Sequence, residues 1–132
     1  MMFIKAFIAV IVSFLVIDGI WIAFVIRRLY ENQVGGLLRD SPNMAAAGVF
    51  YLAYAAAIVF LAVRPAVAAG SGSTALVHGA VLGAIAYGTF TVTNYSLLKG
   101  WTMSLVVSDI LWGAVLTAAC AWCGWWAVKS FG

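Results

Sequence analysis

Four stretches of this 132-residue chain are apolar for long enough to cross a lipid bilayer. A transmembrane helix needs about 20 predominantly apolar residues to span roughly 30 Å of hydrocarbon. The runs cover residues 3–26, 44–63, 75–95 and 103–128. Lipid offers the backbone no hydrogen bonds, so a crossing segment is a helix or part of a closed barrel. These runs are continuous rather than alternating in polarity, which selects helices. Composition agrees: 66% of the residues are hydrophobic and 8% charged, where a soluble domain carries about 25% charged residues. The expected fold is therefore an all-α membrane protein, one four-transmembrane-helix bundle over residues 1–132 with spans at about 3–28, 42–64, 75–95 and 102–128. The first run is too long for a signal-peptide core and has no small-residue cleavage site after it, so it reads as a retained span.

The polar residues between the runs set the punctuation. Arg27-Arg28 stops the first span, and a polar segment over residues 29–40 follows. Ser41-Pro42 has the form of an N-cap followed by proline at the first helical position. Arg64-Pro65 reads as the end of the second span, because proline disfavours helix in the residue before it. A small-residue linker over 66–74 and a short connection at 96–102 complete the chain. Short connections make successive spans antiparallel neighbours. Loops 1 and 3 carry Arg27, Arg28, Arg39 and Lys99, against Lys5, Arg64 and Lys129 on the other side. That small excess favours loops 1 and 3 in the cytoplasm.

Several residues have ordinary explanations. Trp101, Trp122, Trp125 and Trp126 flank the fourth span and read as an aromatic belt at the two interfaces. Cys120 and Cys123 form a Cys-x-x-Cys pair, but no third cysteine or nearby histidine joins them, and buried thiols serve as small apolar residues. His78 points away from the polar face of the third span and reads as interfacial. No metal-ligand signature, phosphate loop or nucleophile elbow is present, and no cofactor is expected. The net charge of +3 is too small and scattered for a nucleic-acid surface.

Two residues do not belong in lipid. Asp18 and Asp109 sit inside apolar runs, where an aspartate at a helix centre costs about 3 kcal/mol on insertion scales. Each has a tryptophan three residues later, Trp21 and Trp112, and so on the same helical face. Asp18 lies nine residues before Arg27 and Asp109 eight residues after Trp101. Both carboxyls are thus about 12–14 Å in from the side of loops 1 and 3. They can meet if the first and fourth spans pack together. Tyr87, Thr91 and Asn94 share one face of the third span, and Tyr51 and Tyr54 lie in the same half of the second. Gly79 and Gly83 form a small-xxx-small pattern that lets helices approach closely. If the faces converge, a polar pocket opens toward loops 1 and 3. No lysine or arginine lies at matching depth, so the acids are protonated, share a proton, or bind a cation or solute. The alternative is that these polar groups only satisfy one another and glue the bundle.

The segments Tyr87-Gly-Thr-Phe-Thr-Val-Thr-Asn94, Leu98-Lys-Gly-Trp101 and Asp109-Ile-Leu-Trp-Gly113 resemble the core signature of domain-of-unknown-function family 2177. Asp18-x-x-Trp21 and Phe50-Tyr51 fit it as well, so the resemblance covers essentially the whole chain. It implies a four-helix, multi-pass protein of the bacterial inner membrane and no established activity. Family members usually read tyrosine-aspartate where this chain has Phe90-Thr91, which removes one carboxyl from the expected pocket. Three functional readings follow. The first is binding or translocation of a small solute or ion at Asp18 and Asp109, shaped by Trp21, Trp112, Tyr51, Tyr87, Thr91 and Asn94, in a homodimer formed through the Gly79/Gly83 face. The second is an accessory or assembly subunit of a larger membrane complex. The third, an intramembrane enzyme acting on lipid, ranks last because no nucleophile or metal set accompanies the acids.

Overall fold

A computed structural model of the chain describes residues 2–21 and 44–131. Helix α1 runs Met2–Trp21 and α2 runs Met44–Ile58. A π-helical turn, Val59–Val63, carries α2 without a break into α3, Arg64–Ala69. Helix α4 covers Gly72–Leu97 and α5 covers Met103–Phe131. Among the described residues, four helices are long and apolar enough to cross a membrane: Phe3–Trp21, Gly48–Ala69, Gly72–Leu97 and Met103–Ser130. The expected four-helix architecture is present, with α2, the π turn and α3 together forming the second span. The Arg27-Arg28 stop, the polar segment 29–40 and the Ser41-Pro42 start signal lie outside the described residues.

The second span departs from the expected boundary. The helix does not stop at Arg64, which keeps right-handed helical angles of φ −56° and ψ −48°, and the chain stays helical to Ala69. Pro65 lacks an N–H, so it cannot serve the carbonyl of Leu61 as an α-helix requires. The π turn absorbs that defect: the Arg64 N–H donates five residues back, to Val59. The Leu61 carbonyl accepts instead from His78 Nδ1 on α4, at 3.3 Å. Bulges of this kind are a recognised way to pass a disruption without ending a helix. The linker expected over 66–74 shrinks accordingly. Gly70, in the left-handed region at φ 66°, ends α3, and Ser71 caps α4 by accepting from the Thr74 N–H at 3.4 Å.

Helix α5 is the hub. It forms its most extensive interface with α4 and its second with α1. Small residues make the first interface close. A methyl group added at Gly79 would lie 2.8 Å from the Ala118 Cα, and one at Gly83 would run into the Gly113 carbonyl. A methyl at Gly113 would in turn overlap the Tyr87 ring. The two backbones are therefore in direct contact, as small-residue interfaces in membranes allow. The Gly79/Gly83 face, expected to join two copies of the chain, is thus consumed within one chain. On the other side of α5, Gly124 makes room for Val10 of α1 and Val63 of the π turn.

The outer faces of the helices are apolar. On α1 the buried residues Ala6, Val10, Phe14 and Asp18 recur every fourth position, while Ile4, Ile8, Val12, Val16 and Ile20 are exposed. That outer surface suits lipid and not water. Replacing Gly83 by alanine is expected to destabilise the bundle by about 1–3 kcal/mol, since neither backbone can yield to the added methyl. Unfolding of the purified variant in detergent, followed by circular dichroism, checks this, with exposed Ile85→Ala as the near-neutral control.

Candidate functional site

The buried stripe on α1 decides where Asp18 points. Counting in fours from Ala6 through Val10 and Phe14 brings Asp18 onto the core face, 7% exposed. Its two oxygens are held separately. Tyr51 Oη of α2 donates to Oδ2 at 3.3 Å, and Trp112 Nε1 of α5 donates to Oδ1 at 3.1 Å. Both donors are neutral, and each carboxylate oxygen keeps a further lone pair available.

The two aspartate–tryptophan pairs interlock. Trp112, the partner of Asp109 in sequence, serves Asp18, and Trp21, the partner of Asp18, stacks on Trp112 with ring centroids 4.1 Å apart and planes 8° from parallel. The first and fourth spans do pack together, as the depth argument requires. Asp109 lies on α5 one turn before Trp112 and is 5% exposed.

Aromatic rings from three helices wrap the Asp18 end of the core. Phe14, one turn below Asp18, lies with its centroid 5.1 Å from Tyr51 and 5.7 Å from Tyr54. Tyr54 stands 6.2 Å from Tyr87 of α4, and its hydroxyl pairs with Thr117 Oγ1 at 2.8 Å. Tyr87 in turn lies over Gly113, the last residue of the Asp109–Gly113 segment. Thus Asp18, Trp21, Tyr51, Tyr87 and Trp112 belong to one continuous cluster fed by all four spans.

The remaining residues of the expected site are placed elsewhere. Thr91 is fully buried and accepts from Trp101 Nε1 at 3.1 Å, close to the connection between α4 and α5. Asn94 is half-buried one turn further on, where its backbone carbonyl receives the Leu98 N–H. Trp101 is itself 9% exposed and meets Phe90 edge to face at 5.8 Å. It is turned inward, away from the lipid-facing position expected of a belt residue, whereas Trp122 and Trp126 are exposed. Thr89 bonds back to the Ile85 carbonyl at 2.8 Å, in keeping with its position off the polar face. Cys120 is buried and Cys123 half-buried, both as free thiols.

Phe14 and Thr117 complete the cluster without a clear mark in the sequence as site residues, and Tyr54, in the same half of the second span as Tyr51, joins them. Phe14 looks in sequence like any lipid-facing phenylalanine, and only its spacing of four from Asp18 marks it. Among the described residues, no buried side-chain nitrogen or oxygen lacks a hydrogen-bond partner. Among them, too, no group of three or more His, Cys, Asp and Glu is placed to hold a metal ion.

Comparison with known proteins gives one match. The family model described as "Predicted membrane protein (DUF2177)" matches residues 3–126. No curated protein and no solved structure matches the chain.

Trp112→Phe keeps a ring for Trp21 to stack on and removes only the N–H bonded to Asp18. It is expected to cost about 1–2 kcal/mol of bundle stability, above the membrane average and reaching the lower part of the range for bonds to charged groups. Tyr51→Phe should cost less, its bond being longer. A double-mutant cycle with Asp18→Leu checks the assignment: the Trp112→Phe effect should fall by more than half in that background.

Proposed function

The chain belongs to the family of predicted membrane proteins DUF2177, and from that premise we propose that it binds a small solute or ion at an intramembrane polar site centred on Asp18. The observation that carries this reading is the cradle around that carboxyl. Asp18 is buried in an apolar span, and among the described residues its partners are two neutral donors, one on each oxygen. Two donors on two oxygens match a carboxylate group. They leave its charge, when ionised, to be balanced by a proton, a cation or a positively charged solute.

The surrounding chemistry supports the same class of ligand. Phe14 packs against Tyr51 and Tyr54, and Tyr54 against Tyr87, so the buried carboxyl sits among aromatic rings in a setting of low polarity, where a bound counter-charge is worth more than in water. Asp109, also buried, lies one turn from Trp112 and supplies a second ionisable group in the same half of the bundle. An aspartate retained inside a span is by default a mark of an ion or proton path. The bonds alone would justify the polar groups as glue, but glue needs no charge. The setting we propose is the bacterial inner membrane, with the ligand entering from the side of loops 1 and 3.

Purified protein in liposomes, assayed for proton-coupled uptake of small cations, tests the proposal. Asp18→Asn preserves the shape of the cradle, with the carboxamide oxygen on Trp112 and its NH₂ group on Tyr51. Flux is expected to fall at least tenfold in that variant and in Asp109→Asn. Equal flux through wild type and both variants would sink the reading.

A further inference from the structure

The end of the bundle opposite Asp18 carries cations and, among the described residues, no aspartate or glutamate. Arg64 and Lys129 are exposed there, at the start of α3 and in the last turn of α5. Of the four Asp and Glu residues, Asp18 and Asp109 lie in the other half, and Glu31 and Asp40 fall in sequence between the first two spans. Each cation rests on an aromatic ring. The Arg64 guanidinium stands 4.7 Å from the Phe60 centroid, and the Lys129 ammonium 5.0 Å from that of Trp125. A cation–π contact fixes the position of a charge without neutralising it.

Beside each cation runs an apolar groove. One, of about 580 Å³, is lined by Phe60, Arg64, Pro65, Val67 and Ala68. The other, of about 310 Å³, is lined by Val67, Gly70, Trp125, Val128 and Lys129. Val67 lines both, so the grooves flank a single ridge on α3. Arg64 is six residues from Gly70, or about 9 Å along the helix, within reach of the interface for a side chain that extends its charged end toward water.

We propose that these paired grooves seat an anionic phospholipid, with its phosphate drawn to Arg64 and Lys129 and its acyl chains laid along Phe60, Val67, Ala68 and Val128. Charge complementarity selects the occupant. An apolar trough ending in a cation that, among the described residues, has no acid beside it fits a chain that ends in a phosphate, and a zwitterionic headgroup brings a positive charge to a face that already has two. This site is independent of the one at Asp18, because it uses none of the same residues and lies at the other end of the bundle.

Native mass spectrometry of the full chain in detergent, titrated with phosphatidylglycerol, phosphatidylcholine or inorganic phosphate, tests the proposal. Phosphatidylglycerol should bind at least tenfold more tightly than phosphatidylcholine. Arg64→Gln and Lys129→Gln should each weaken it about fivefold, the worth of one cation near an anionic headgroup, and leave phosphatidylcholine unchanged. Ala68→Trp, which fills one groove and keeps both charges, should also reduce retention of phosphatidylglycerol. Equal binding of the two lipids, or full preference surviving in the double glutamine variant, would overturn the proposal. So would competition by inorganic phosphate at concentrations similar to those of the lipid, which would mark a site for free anions.

Discussion

The backbone-to-backbone contact of α4 with α5 is the constraint on which the rest of this bundle depends. Helices crossing a membrane gain nothing from hiding apolar side chains from each other, since lipid is as apolar as leucine. Close approach has to come from shape. Gly79 and Gly83 on one helix, with Gly113 and Ala118 on the other, remove the side chains that would hold the axes apart. The same contact fixes the rotation of α5. With Gly113 under Tyr87, the α5 residues around it are committed to their faces, and Trp112 is presented to α1.

The polar cluster follows from that rotation and from the four-residue stripe on α1. Asp18 occupies the position on its helix that Ala6, Val10 and Phe14 occupy lower down. The chain thus places a carboxyl where packing alone would call for another apolar side chain. It then surrounds that carboxyl with donors that cannot neutralise it. Phe14 and Phe50 pack against Tyr51, and the Trp21 ring stacks on the face of Trp112. The two residues that donate to the acid are themselves fixed by aromatic contacts, and among the described residues they are its side-chain donors.

The crossings were legible because span length and apolarity are properties of the sequence alone. The expected shared depth of Asp18 and Asp109 also follows from counting residues from Arg27 and Trp101, whereas the packing of the first span on the fourth entered only as the condition for the two acids to meet. What could not be read were contacts decided by rotation between helices. Thr91 and Asn94 share a face with Tyr87, yet α4 is long enough that Thr91 is level with Trp101 and bonds to it. The end of the second span was misjudged for a local reason. Proline is a helix breaker only when nothing else takes up the orphaned carbonyl, and here a π turn and His78 on a different helix do so. Sequence rules about proline describe the neighbourhood of one residue, whereas the donor came from the opposite side of an interface.

The bond between Asp18 and Trp112 joins residues 94 positions apart, from the first span to the last. Chains emerge from the ribosome N-terminus first, so α1 reaches the bilayer carrying an acid whose partners have not been made. Tyr51 arrives with the second span and Trp112 only with the fourth. During synthesis, then, the first helix must be apolar enough to hold a lone aspartate in lipid by its own isoleucines, valines and phenylalanines. A chain that stops short keeps that acid exposed inside the membrane. Arrival of the fourth span is in this way recorded at one carboxyl group, which gains its tryptophan donor only when that helix has taken its place.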